Sequence, residues 1–284
     1  MLFTGGTYFV FLIAVFFAYW LIADRAAWRV LLLVAASCFF YWQATRWALL
    51  LLLSISIIDF TITRVMARSE YLRQRKVLLC LSLVVKVSAL SVFKYADFLL
   101  ESWAGAMSLL GIEAPAFQLG WLAPIGISFF IFQSIAYVVD VYRGDAEPAE
   151  SYLDYLAFIS FFPTIVAGPI LRARQLLPRL RTRLNLDAAL GGQALFLIAI
   201  GLIKKIAIGD YLSANIVDRV FDFPERFSSV EVLTAVYAYA LQIYADFSGY
   251  SDIAIGSAML LGFSLPVNFN APYRSASLPE FWRR

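Results

Sequence analysis

An all-α protein threaded several times through a lipid bilayer is the fold class this sequence predicts, and three observations predict it. Hydrophobic residues make up 62% of the 284 and charged residues only 15%, with a mean hydropathy of +0.76, well outside the range of soluble domains. The apolar runs are continuous over about 20 residues instead of alternating, which favours helices over a barrel. The charges gather mainly between the runs. At roughly 20 residues per crossing, the chain holds about seven spans, read here as a single membrane domain over residues 1–284.

Residues 7–23 form the first run, closed by Asp24 and Arg25. No basic segment precedes it and no small-residue cleavage pattern ends it, so it reads as a span and not as a removed signal. The second run, 27–44, has Arg29 near enough to its end to snorkel, with Trp42 and Trp47 at the level of an aromatic belt. The third, 47–63, carries one charge, Asp59, expected to reach the interface in a structural role. Arg64, Arg68, Arg73, Arg75 and Lys76 follow, offset only by Glu70. Such a cluster resists translocation, which predicts a cytoplasmic loop here and an N-terminus outside, three spans back. Residues 77–100 make a tilted fourth span in which Lys94 and Asp97 share a face and are expected to pair, with Lys86 deeper. Residues 102–120, containing Pro115, suit an outer loop or an interfacial helix anchored by Trp103.

The fifth span, 122–139, has Gln133 and Ser134 at its centre, as interhelical hydrogen-bonding groups or as tunnel lining. Asp140 to Asp145 closes it with an ionic pair and a turn. If residues 152–170 were a full span, Arg172, Arg174, Arg179, Arg181 and Arg183 would fall outside, against the charge rule. Residues 153–170 are therefore predicted to form a re-entrant hairpin, broken at Pro163, Gly168 and Pro169 and set against a cavity. Residues 190–208 form the next span, with Lys204 and Lys205 near its end as headgroup anchors or as an attraction for an anionic substrate. Residues 210–229 read as an external loop, and 230–244 begin the last clear span.

That span delivers the chain to the polar region 242–284. Asp246, Ser248, Tyr250, Ser251 and Asp252 crowd into seven residues, with Gly249 as a breaker; Asn268, Asn270 and Tyr273 follow. On a helix, Ser248 and Asp252 share one face and Asp246 lies on a neighbouring one. In so apolar a chain, this density of carboxylates and hydroxyls either seals a packing interface or builds a site.

At these residues the chain resembles a known family. Asp246-Phe247-Ser248-Gly249-Tyr250-Ser251-Asp252 is similar to the signature of the membrane-bound O-acyltransferases, in the bacterial branch of alginate O-acetylation and teichoic acid D-alanylation. Three more segments fit that branch in order: Pro124 to Phe129 through Gln133 to Gly144, then Phe161-Phe162-Pro163 with Ala167-Gly168-Pro169-Ile170, then Gly201 to Lys205. The resemblance implies a funnel-like helical ring around a tunnel in a bacterial inner membrane. The acyl donor, acetyl-CoA or an acyl carrier, would enter from the cytoplasm and a polysaccharide acceptor from outside. It also implies periplasmic acetyltransferase or carrier-protein partners. In the family, Glu280-Phe281-Trp282-Arg283-Arg284 continues into Trp-His, whose His serves acyl transfer. This sequence contains no His, so a catalytic residue is expected beyond Arg284 and the chain is expected to be a fragment. Gln133, Asp246, Ser248, Tyr250, Ser251, Asp252, Asn268, Asn270 and Tyr273 are then site-lining groups.

Other classes fit less well. Without His and without a Cys pair at ligand spacing no metal site is expected, and Cys38 and Cys80 read as small hydrophobes. A net charge of +3 carries no nucleic-acid footprint. A transporter would be expected to carry internal repeats, and none is found; an inactive scaffold is the remaining alternative.

Overall fold

The computed structural model describes residues 3–111, 119 and 123–284, and among these it holds helices and no strand. The helices are α1 (Gly6–Leu21), α2 (Ala26–Ala44), α3 (Ala48–Arg68), α4 (Leu72–Leu109), α5 (Ile127–Arg143), α6 (Tyr152–Ser160), α7 (Ala173–Arg181), α8 (Ala188–Leu202), α9 (Asp218–Asp222), α10 (Ser229–Leu260) and α11 (Leu278–Arg283). Two π-helical stretches, Ile203–Asp210 and Ser213–Val217, join α8 to α9. By length and composition α2, α3 and α4 can each cross a membrane, and α1 is a shorter apolar helix. The core is largely apolar, but the outer surface is apolar too, and several charges lie inside. Phe17, Leu21, Leu50, Leu195 and Phe196 are exposed, whereas Arg29, Asp59, Lys86, Gln133, Ser134 and Ser251 are buried. An apolar exterior, around a largely apolar core in which the buried charges are paired, is what lipid as solvent selects.

Several helices end where the sequence supplies a left-handed glycine. Gly144 (φ 82) closes α5, its amide on Val141 O and that of Asp145 on Asp140 O. Gly262 (φ 83) closes α10 in the same way, through Met259 O and Ala258 O. Of the two expectations for this region, a loop or an interfacial helix, the structure shows helix: α4 runs on through Trp103 and Gly105 to Leu109, and a left-handed glycine, Gly111, follows its end; Pro115 lies outside the described residues. Helix likewise extends through the predicted external loop 210–229 as far as Asp222, since the first proline or glycine after Gly209 is Pro224.

The two ends of the segment after α5 are held close together by ion pairs. Ser151 caps α6, and α6 stops at Ser160, before Phe161-Phe162-Pro163, where proline removes an amide and disfavours helix in the residue ahead of it. Turns through Thr164 and Gly168 then lead into extended chain up to α7. The far tip, Ile165 and Val166, packs on Gly126, which has φ 77 and no room for a Cβ against Ile165 O. At the near end, Arg172 pairs with Asp140 and Arg181 with Asp154, both at 2.8 Å. Arg64 donates to Glu150 O at 2.9 Å and Arg75 to Tyr142 O at 2.6 Å. The ionic partner of Asp140 is thus Arg172, just ahead of α7, and not a residue within its own turn. Residues 154–165 are buried throughout, packed against protein.

Four charges sit differently from expectation. Arg29 does not snorkel: it is 2% exposed, stands over the Tyr19 ring and donates to Thr182 O at 2.7 Å, because the end of α7 folds over the start of α2. Asp59 does not reach the interface but is wholly buried, since α4, α5 and α6 all pack around it. Lys94 donates to Ser128 Oγ and Asp97 accepts from the Leu119 amide, so the two turn to different partners.

The second half is organised by α8 and its π-helical continuation lying antiparallel to α10. The two backbones approach at Gly201 and Gly249: a Cβ on Gly201 would stand 2.6 Å from Gly249 O, and one on Gly249 2.8 Å from Gly201 O. Gly249 was predicted to break the helix, yet α10 continues through it. The cost of glycine in a helix, about 1 kcal/mol, is offset by this close packing. Gly249→Ala is expected to destabilise the protein by about 1–3 kcal/mol through overpacking. Gly191→Ala, in the same pair of helices but with nothing near its Cβ position, should be neutral or mildly stabilising. Thermal unfolding in detergent compares the two.

Candidate active site

Because α10 is unbroken, its polar stretch is presented as one helical surface to three neighbours. The first is the π-helical segment after α8. Lys204 Nζ lies 2.6 Å from Asp252 Oδ2, and Lys205 Nζ lies 2.9 Å from Asp246 Oδ1 and 2.5 Å from Asp210 Oδ1. A π-helix has a wider turn than an α-helix, and such turns concentrate at functional positions. Here the widened turn lets two adjacent lysines reach carboxylates six residues apart on α10. Gly209 is required beside them, because a Cβ there would run into the Asp246 carboxylate. Lys205 also stands 5.6 Å from the ring centre of Tyr250.

The second neighbour is the broken segment. Ser251 Oγ donates to Ala167 O at 3.4 Å and accepts from Asn268 Nδ2 at 2.9 Å. Three parts of the chain therefore meet at one hydroxyl: α10, the return arm of the broken segment, and the loop after α10. Ser248 is fully buried, and neither its Oγ nor Gln242 Oε1 has a hydrogen-bond partner among the described residues.

The third neighbour is the loop itself. Phe269 packs edge-on against Phe247 and Tyr244, with ring centres 5.0 and 5.8 Å apart, and Phe247 also meets Phe129 of α5. Tyr273 OH donates to Ala240 O at 2.9 Å. The Asn270 amide donates to Arg284 O at 2.7 Å, and Ala271 next to it is held at φ 46, a left-handed conformation uncommon outside glycine. Glu280 accepts from the Ala276 amide and from Arg284, which together hold its carboxyl below the usual carboxylate range.

The structure thus gathers Asp246, Tyr250, Ser251, Asp252 and Asn268 around α10, with Ser248 buried in the same helix and Asn270 and Tyr273 in the loop that folds back on it. Gln133 belongs elsewhere: its Nε2 donates to Phe158 O at 2.9 Å and ties α5 to α6, the interhelical role. Lys204 and Lys205 lie inside a continuous helical segment and pair there with Asp252 and with Asp246 and Asp210. Their signal was present in the sequence, as two ammonium groups inside an apolar run, each needing a counter-charge. Chemically, the cluster of three carboxylates and two ammonium groups can orient polar groups and fix charge. It holds no imidazole.

Comparison with known proteins locates this arrangement. Residues 149–284 match the sequence model of the membrane-bound O-acyltransferase family. Over these residues the chain is similar to that family. The chain is 36% identical over its whole length to a probable alginate O-acetylase, AlgI, of Pseudomonas syringae pv. tomato, covering 54% of that protein. It is 32% identical over 97% of its length to a peptidoglycan O-acetyltransferase of Helicobacter pylori, covering 57%. Similarity to a teichoic acid D-alanyltransferase of Bacillus subtilis is 28% over 56% of the chain, covering 41% of that protein. The chain spans about half the length of the first two relatives. The family match includes the broken segment, both lysines, the whole of α10 and the loop after it.

Lys205→Met removes the counter-charge of Asp246 and Asp210 while leaving helix propensity nearly unchanged. It is expected to cost about 1–3 kcal/mol, less than the 3–5 typical of a fully buried pair, because the site is only partly buried. Lys205→Met combined with Asp246→Asn should recover part of that loss. Unfolding midpoints of the single and double variants read the coupling.

Proposed function

We propose that the protein is an O-acyltransferase of a bacterial inner membrane that transfers an acetyl group to hydroxyls of an exported polysaccharide such as alginate. The observation that carries this is the ion-paired polar surface of α10, placed inside an apolar helical assembly in the stretch that matches the family. Acyl transfer to a hydroxyl needs a base for the acceptor's proton, groups that stabilise the oxyanion, and a passage from which water is excluded. The residues present serve this reaction as wall and positioning groups. Asp246 and Asp252, neutralised by Lys205 and Lys204, hold a fixed charge pattern, and Ser251 and Asn268 join the broken segment to the site. Acetyl-CoA or an acyl carrier is the donor in this reading, and periplasmic acetyltransferase or carrier-protein partners serve the full-length protein.

Transfer of D-alanine from a carrier to teichoic acid is the second reading. The specific observation behind it is the partial similarity to D-alanyltransferases, which spans less of the chain at lower identity than the acetylase similarity does. Deleting the gene and replacing it with an Asp246→Ala version should lower the polymer's ester-linked acetyl at least tenfold in both strains, read by base-released acetate. Unchanged acetate would end the first reading, and lost D-alanine ester in its place would establish the second.

For orientation, the arginine-rich end of the bundle is taken as cytoplasmic, following the positive-inside rule. That places the N-terminus outside and makes residues 153–170 a re-entrant hairpin, which the paired ends Asp140–Arg172 and Asp154–Arg181 support. Cysteines at Glu147 and Asn185, both exposed, should then label from the cytoplasmic side only. Labelling from opposite sides would mean a full crossing.

A further inference from the structure

Four helices meet around a carboxylate for which the acyl-transfer reading has no use. Asp59 of α3 is fully buried, with Oδ1 2.8 Å from Nζ of Lys86 on α4 and 3.2 Å from Ser82 Oγ. Lys86 is 1% exposed and approaches off the hydrogen-bonding direction, so the contact is ionic. Asp59 Oδ2 accepts from Tyr155 OH of α6 at 2.8 Å and from Ser134 Oγ of α5. Tyr155 lies against Tyr137 of α5, ring centres 4.6 Å apart, and the Tyr137 hydroxyl accepts from the Ala149 amide at 3.0 Å. One anion therefore ties α3, α4 and α5 to the body of the broken segment, and Tyr137 ties in its entry.

Adhesion alone does not require this. A buried ion pair seldom holds helices better than apolar side chains of similar volume would, because desolvation consumes most of the attraction. A carboxylate differs from leucine in fixing direction: its two oxygens take four partners, which sets the depth and rotation of α6 against three helices. The segment held in this way continues through Phe162, whose amide donates to Ser37 Oγ at 3.0 Å, to Ala167, whose carbonyl meets Ser251. We propose that Asp59 and Lys86 are positioning residues. By clamping α6 through Tyr155 they set where residues 161–168 stand against Ser251, and so the shape of the acyl-transfer site. Only the activity part of this inference rests on the acyltransferase reading.

The test uses the full-length protein and the variants Lys86→Arg, Lys86→Met, Tyr155→Phe and the double variant Asp59→Asn with Lys86→Met. Two quantities are read: backbone hydrogen exchange over residues 161–168, and polymer acetylation per folded enzyme. Lys86→Arg keeps the charge and should acetylate within threefold of the parent. Lys86→Met and the double variant should lose at least tenfold in kcat, with acceptor KM within twofold, and exchange at 161–168 should quicken at least tenfold. Tyr155→Phe deletes one hydroxyl from a folded core and should show a smaller change of the same sign in both readouts. A packing role predicts the opposite order, with Met tolerated and the bulkier Arg not; that order, or unchanged exchange in both Tyr155→Phe and the double variant, overturns the proposal. Exchange is read without activity, so a parent protein that acetylates nothing would refute the acyltransferase reading while the exchange data still decide the positioning role.

Discussion

Every charge carried into this apolar assembly must meet an opposite charge or a set of directed hydrogen bonds, and the rest of the structure depends on that constraint. Asp59 and Lys86 answer each other across α3 and α4; Lys204 and Lys205 answer Asp252 and Asp246 across the second half. Arg29, lacking a carboxylate, takes the carbonyl of Thr182 and the face of Tyr19. Moving any of these groups into lipid unpaired would cost several kcal/mol, so the pairs select which helices may be neighbours and in what register.

The two halves meet through the broken segment. Its buried arm is gripped by α2, α3 and α5 on one side, and its return arm reaches Ser251 of α10 on the other. Non-helical backbone at such a depth needs partners for its polar groups. Ser37 on the amide of Phe162 and Ser251 on the carbonyl of Ala167 supply two of them. The site is therefore not a property of α10 alone. It is the place where a helix, a broken segment and a loop each complete the others' hydrogen bonding.

Close backbone approach complements charge pairing. Gly201 against Gly249 brings α8 and α10 near enough for the short reach between the lysines and the aspartates, and Gly209 makes room for the Asp246 carboxylate. The π-helical turn lies at this point of closest approach, where a regular α-helix would send Lys204 and Lys205 further apart around its axis.

Much of this was legible in the sequence, because the bilayer imposes a simple rule on it. Long apolar runs between charge clusters marked α1 to α5, and the conflict between the arginines after Leu171 and a full crossing marked the segment broken at Pro163. The density of polar residues from Asp246 to Asp252 marked the helical surface on which the structure gathers the ion pairs of the candidate site. Helix ends were less legible, as at Gly249, where local propensity argued for a break that packing overrode. What only the tertiary structure decided was the pairing. Asp59 and Lys86 are 27 positions apart, Lys205 and Asp246 are 41, and neither separation leaves a periodic trace in the chain. A one-dimensional pattern reports which face of a helix is apolar. Which charge waits on the facing helix is set by how the helices cross.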